Sequence, residues 1–127
     1  MRLIVCGGRD FYDKELLFSS LDDLMHAQER IRDPIKYLIH GNARGADALA
    51  HGWAVVRYIQ PIMVPALWNL FGAKAGAIRN ENMLGLGPDL VVAFPGGRGT
   101  AHMMKIATAA NIQTLQIARP KREGADT

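Results

Sequence analysis

Five short apolar runs punctuate the chain, at residues 3–6, 37–40, 61–64, 90–94 and 114–117. None alternates polar with apolar positions, and continuous runs of this kind suit strands buried on both faces of a parallel sheet. Between the runs the spacing changes to a helical period. Leu17, Leu21, Leu24 and Met25 follow an i, i+4, i+7, i+8 pattern, with Asp10 and Asp13 upstream as N-cap candidates. Leu49, Trp53 and Val56 predict a second helix over residues 46–58. A third is predicted over residues 75–86, stopped by Gly85, Gly87 and Pro88. A fourth spans residues 100–110, with Thr100 as its N-cap and Asn111 as its stop signal.

Strand and helix therefore alternate throughout, as β-α-β-α-β-α-β-α-β. Because parallel crossovers are right-handed, this order predicts an α/β, Rossmann-like three-layer sandwich with a five-stranded parallel sheet, ordered 3-2-1-4-5. The domain is expected over residues 1–118. Residues 119–127 lack apolar side chains able to pack and read as a disordered tail.

Composition changes this picture little. A chain of 127 residues suits one domain, and 49% hydrophobic with 21% charged residues is ordinary for a globular protein. Aromatic residues make up only 7%, which favours backbone-built loops over an aromatic binding surface. The formal charge of +3 includes +1 from the tail, leaving a body too weakly basic for a broad nucleic-acid footprint. Cys6 is the single cysteine, so neither an internal disulfide nor a cysteine-based zinc site can form. No signal sequence or membrane-length apolar stretch is visible, and the reading is a cytoplasmic protein without membrane contact.

Ligands of open α/β sheets bind beyond the carboxyl ends of the strands, near the switch in strand order. Three predicted strand-to-helix loops lie there. The first holds Gly7, Gly8, Arg9 and Asp10; the second Gly41, Asn42, Arg44, Gly45 and Asp47; the third Pro95, Gly96, Gly97, Arg98, Gly99 and Thr100. Glycine lets the backbone approach a ligand closely, and helix N-termini add unsatisfied N–H donors with partial positive charge. A tight turn by itself also needs glycine, so one such loop says little. Three on one edge, with Arg9, Arg44 and Arg98 inside them and Arg79 following the third strand, point to phosphate. One or two of the four arginines are expected to face solvent.

Gly7-Gly-Arg-Asp10, His40-Gly-Asn-Ala-Arg-Gly-Ala-Asp47, Ile78-Arg-Asn80 and Phe94-Pro-Gly-Gly-Arg-Gly-Thr100 together resemble the SLOG superfamily, and most closely its small YspA-like branch. That superfamily includes the cytokinin-activating phosphoribohydrolases and the DNA-processing protein A domain. The resemblance spans residues 1–117. It implies binding of a nucleotide or nucleotide derivative, NAD- or ADP-ribose-like, by a homo-oligomer that requires no other cofactor. The phosphoribohydrolases follow the last motif with a catalytic glutamate where this chain has Met103, whereas Arg79 matches their site arginine. Half of the catalytic pair is missing. Asp10, Asp47 or Glu81 would have to replace it for glycosidic cleavage, so binding without turnover leads, a nucleotide N-glycosidic hydrolase follows, and single-stranded nucleic-acid binding comes third.

Other residues divide between site and scaffold. Asn80 beside Arg79, and His102 in the first turn of the fourth helix, are candidate ligand contacts, His102 as a donor to phosphate. Asp47 is equally suited to a ribose hydroxyl or to capping its own helix. Trp68 is the best stacking candidate, while Phe11 is expected in the core. His40 is assigned to supporting a loop, and His26 and His51 to helices without a spaced partner. No histidine or carboxylate cluster has metal-ligand spacing, and no metal is predicted.

Overall fold

The sheet is built outward from its central strand, β1 (Arg2–Cys6), which is flanked by β2 (Tyr37–His40) and β4 (Leu90–Ala93). β3 (Gln60–Met63) and β5 (Gln113–Gln116) close the edges, giving five parallel strands in the order β3-β2-β1-β4-β5. The computed structural model describes residues 1–119. Five helices connect the strands: α1 (Lys14–Arg30), α2 (Ala46–Val56), the single turn α3 (Trp68–Phe71), α4 (Ala75–Leu84) and α5 (Arg98–Ala109). The expected Rossmann-like architecture and strand order are those of the protein.

Alternate residues of each central strand enter different cores. Leu3 and Val5 of β1 pack with Leu17 and Leu21 of α1 and Trp53 of α2. Ile4 and Cys6 point the other way, to Met83 of α4 and Met103 and Ala107 of α5. Helices on both faces explain why these strands read as unbroken apolar runs. Trp53 alone puts an entire indole into the first core, and its N–H is satisfied by Asp22 Oδ1 at 2.9 Å. Arg57 grips the same carboxylate through Nε at 2.8 Å and Nη2 at 2.9 Å, locking α2 to α1.

The edge strands depart from expectation. β3 begins one residue earlier than its apolar run, at Gln60, and β5 likewise at Gln113. Neither is buried on both faces: every residue of the two strands is exposed or half-buried, Leu115 among the exposed. Pro61, which lacks an N–H, is tolerated because β3 has an unpaired edge. Helix ends are also redrawn. Asp13, not Asp10, caps α1, its Oδ1 accepting from the Leu16 N–H at 3.1 Å. The cap of α5 is Gly97, so Thr100 lies inside the first turn and not before it. The Trp68 segment, given no element from its sequence, forms α3 followed by a 3-10 turn at Gly72–Lys74. The tail assignment for residues 120–127 lies outside the described residues. No helix among the described residues is long and apolar enough to cross a membrane.

Candidate functional site

Gly8 ties the three glycine loops together. Its N–H donates to Pro95 O at 2.9 Å, and its carbonyl accepts from Ala46 N–H at 3.1 Å. The loops approach so closely that side chains would not fit between them. A Cβ on Gly7 would stand 2.6 Å from the Ala46 Cβ, and one on Gly96 2.7 Å from the Gly8 nitrogen. Gly45, at φ 77°, has the left-handed backbone that favours glycine and lies against the Gly8 and Arg9 carbonyls. Gly97 and Gly99 differ, having open space where a side chain would go.

That space is the entrance to the α5 N-terminus. Ala101 N–H is the first to reach back, to Gly97 O at 3.0 Å, whereas Arg98, Gly99 and Thr100 N–H groups have no partner among the described residues. They open on a cleft of about 760 Å³, within the range that holds cofactor-sized ligands. Unsatisfied donors and the positive end of a helix are the chemistry that suits an anion.

Arg79 enters the cleft from α4. Nη1 donates to Gly41 O at 2.7 Å and Nε to Asn80 Oδ1 at 3.0 Å, which leaves Nη2 without a partner among the described residues. Burial draws its pKa below the ordinary guanidinium value, Asp47 opposes that and Arg9 adds to it. Asn80 is buried and fully used. Its Nδ2 donates to Gly99 O at 3.1 Å and faces His102 Nδ1 at 3.1 Å, pinning α4 to the first turn of α5. An amide donor at Nδ1 makes that nitrogen the acceptor, so His102 carries its proton on Nε2 and lines the cleft as a donor.

Asp47 forms the floor. Its Oδ2 accepts from Ala43 N–H at 3.2 Å, so it holds the second loop while still lining the cleft. Burial raises its pKa to about 6, against the lowering effects of the Ala43 backbone bond and of Arg79. Cys6 beside it is no nucleophile: burial first, then Asp47, push the thiol up to about 12.

The structure brings most of the expected residues together: Gly7, Gly8, Arg9, Asp10, Gly41, Asp47, Arg79, Asn80, Pro95, Gly96, Gly97, Arg98, Gly99, Thr100 and His102 line the cleft. Asn42, Arg44 and Gly45 do not. Asn42 adopts φ 57° and spends its N–H on His40 Nδ1 at 3.0 Å. Arg44 points to solvent and meets Asp10 at 3.3 Å, a pair too exposed to contribute much. Glu81 is exposed and outside the cleft. Met103 is wholly buried in the α4/α5 core, so the position where phosphoribohydrolases carry glutamate faces side chains and not ligand.

Sequence reasoning missed three features. Arg119, assigned to the tail, lines the cleft, and a lone arginine after an edge strand carries no signal for that. Gly76 and Ala77 of α4 form a wall too plain to stand out. His51, read as unpartnered, sits 3.0 Å from His40, because α2 packs over β2. No group of three or more His, Cys, Asp or Glu able to hold a metal exists among the described residues.

Fold and site define a class: a Rossmann-like domain with a glycine-lined cleft where the strand order switches. Within that class, residues 1–71 match the family described as YspA, cpYpsA-related SLOG, and the chain belongs to that family. The match ends after α3, so Arg79, Asn80 and the third loop lie beyond it. Gene 61 protein of Mycobacterium phage D29 is 36% identical over 124 residues, covering 91% of this chain and 95% of the phage protein. No solved structure matches.

Proposed function

We propose that the cleft binds a phosphorylated nucleotide or nucleotide derivative of the AMP, NAD or ADP-ribose kind. The observation that carries this reading is the convergence of the unpaired Arg98, Gly99 and Thr100 N–H groups with the Arg79 guanidinium on one cleft. Phosphate there would accept backbone N–H bonds, the free Nη2 of Arg79 and the His102 Nε2–H, all charge-assisted. Membership of a SLOG family supports a nucleotide-related role. Calorimetric titration with AMP and ADP-ribose tests it: binding in the wild type and at least about tenfold weakening in Arg79→Gln are expected, from loss of one charge-assisted bond. Absence of binding by both ligands would overturn the reading.

A second reading, a nucleotide N-glycosidic hydrolase, rests on Asp47, the buried carboxyl at the cleft floor. An oxocarbenium-like ribose needs a nearby carboxylate, and Met103 supplies none. Base release by the wild type that disappears in Asp47→Asn would favour this hydrolase. Binding without release supports the first reading.

A further inference from the structure

Of the two large rings that line the cleft, Phe11 is buried and Trp68 is exposed. Trp53 is wholly buried and hydrogen-bonded to Asp22, and Phe11, which also borders the cleft, is packed on Phe94 with ring centroids 5.4 Å apart. Trp68 instead sits on the one-turn helix α3 with 47% of its surface exposed, as part of the cleft wall. Its ring edge stands beside Gly76, where an added Cβ would only just touch Cη2 at 3.4 Å. Ala73, Gly76 and Ala77 keep the adjoining wall low. An indole in such a position is held across the cleft and is not part of a core.

Its face is already occupied. The Arg9 guanidinium lies 5.3 Å from the ring centroid, and the Arg9 side chain has no hydrogen bond or ion pair among the described residues. Five donors of a planar cation are therefore held over a ring that accepts none of them, within a cleft equipped to bind an anion. A guanidinium and a nucleobase present the same kind of flat surface to an indole.

We propose that Trp68 is a base-stacking subsite and that Arg9 is its placeholder. This rests on the nucleotide reading of the cleft and narrows it. The ligand carries an aromatic base, which takes the indole face, and the displaced guanidinium swings to the ligand's phosphate. Arg9 thereby exchanges a modest exposed cation–π contact for charge-assisted bonds. Sugar phosphates and inorganic phosphate would fill only the anion end.

The test uses the full chain, calorimetry and tryptophan emission, with inorganic phosphate, ribose 5-phosphate, AMP, GMP, CMP and UMP as probes. Trp53, shielded in the core, serves as the constant emitter. At least one nucleotide should bind about tenfold or more tightly than ribose 5-phosphate and alter Trp68 emission, as expected for one base stack. Trp68→Leu should abolish that gap without weakening ribose 5-phosphate, since Arg9 no longer has a ring to leave, and Trp68→Phe should keep part of the gap. Arg9→Gln should weaken ribose 5-phosphate and nucleotides alike. Equal binding of nucleotides and ribose 5-phosphate by the wild type, or a Trp68→Leu loss shared by every probe, would overturn the stacking subsite while leaving the anion site standing. So would Trp68 emission already shielded by self-association in the free protein. Failure of every probe to bind, and of ADP-ribose with them, would overturn both readings.

Discussion

His40 and His51 meet edge to face, His40 Nε2 standing 3.0 Å from His51 Nδ1 with the rings at 89°. The Asn42 N–H donates to His40 Nδ1 at 3.0 Å, so the proton of His40 must reside on Nε2 and point at His51. The pair thus joins α2 to the start of the second glycine loop and holds Asn42 in its left-handed conformation. Burial first, and His51 second, lower the His40 pKa to about 4. Nitrogen NMR of the imidazoles should find His40 as the Nε2–H form at neutral pH. A His40 protonated on Nδ1 would contradict the geometry.

Titration of His40 and Asp47 should oppose each other. The folded pKa of His40 lies below its ordinary 6.5, so its contribution is complete above about 6.5 and is lost as pH falls toward about 4. The folded pKa of Asp47 is raised from 3.8 to about 6, so ionised Asp47 costs stability at neutral pH and relief comes as pH falls through about 6. Denaturant midpoints of Asp47→Asn should therefore fall more steeply between pH 6 and 4 than those of the wild type. Parallel curves would refute the assignment.

Met103→Glu should not create a hydrolase. Met103 packs without exposed surface among Ile4, Met83 and Ala107, so glutamate would bury an unpaired carboxyl at a cost on the order of 3 kcal/mol. Met103→Leu, similar in volume, should lose less than about 1.5 kcal/mol. Urea unfolding of the two variants makes the comparison. Base release by a stably folded Met103→Glu protein would show that this position reaches the ligand.

The glycines of the third loop should separate into two kinds. Gly97 has open space beside it, so the side chain of Gly97→Val meets no neighbour and obstructs the α5 N-terminus, with circular dichroism checking that the fold is kept. Its affinity for AMP should fall about tenfold or more, corresponding to loss of one or two charge-assisted bonds. Gly96→Ala would drive a methyl group toward the Gly8 nitrogen, and should lower the melting temperature as well. If Gly97→Val binds AMP as the wild type does, the anion is held elsewhere.

Much of this was legible from the order of residues. Runs such as Leu3–Cys6 announce a doubly covered strand, and alternation with helices leaves few topologies once crossovers are right-handed. Because every strand-to-helix loop of such a sheet falls on one edge, the glycine motifs could be placed together before any coordinate was known. Local sequence also marked Asp13, Arg79 and Asn80.

Distances between segments far apart in sequence were decided only by packing. Leu115 of β5 stays exposed although its run reads as buried, and the burial of Met103 follows from which side of α5 faces the sheet. Asp10 and Arg44 pair in solvent although both lie in glycine loops, while Arg119 returns to the cleft from beyond the last strand. His40 finds His51, and Arg9 finds Trp68, across 11 and 59 positions of chain. Periodicity reports the face a residue turns toward the core; it carries no measure of which distant side chain waits there, because that depends on how helices and loops settle on the finished sheet.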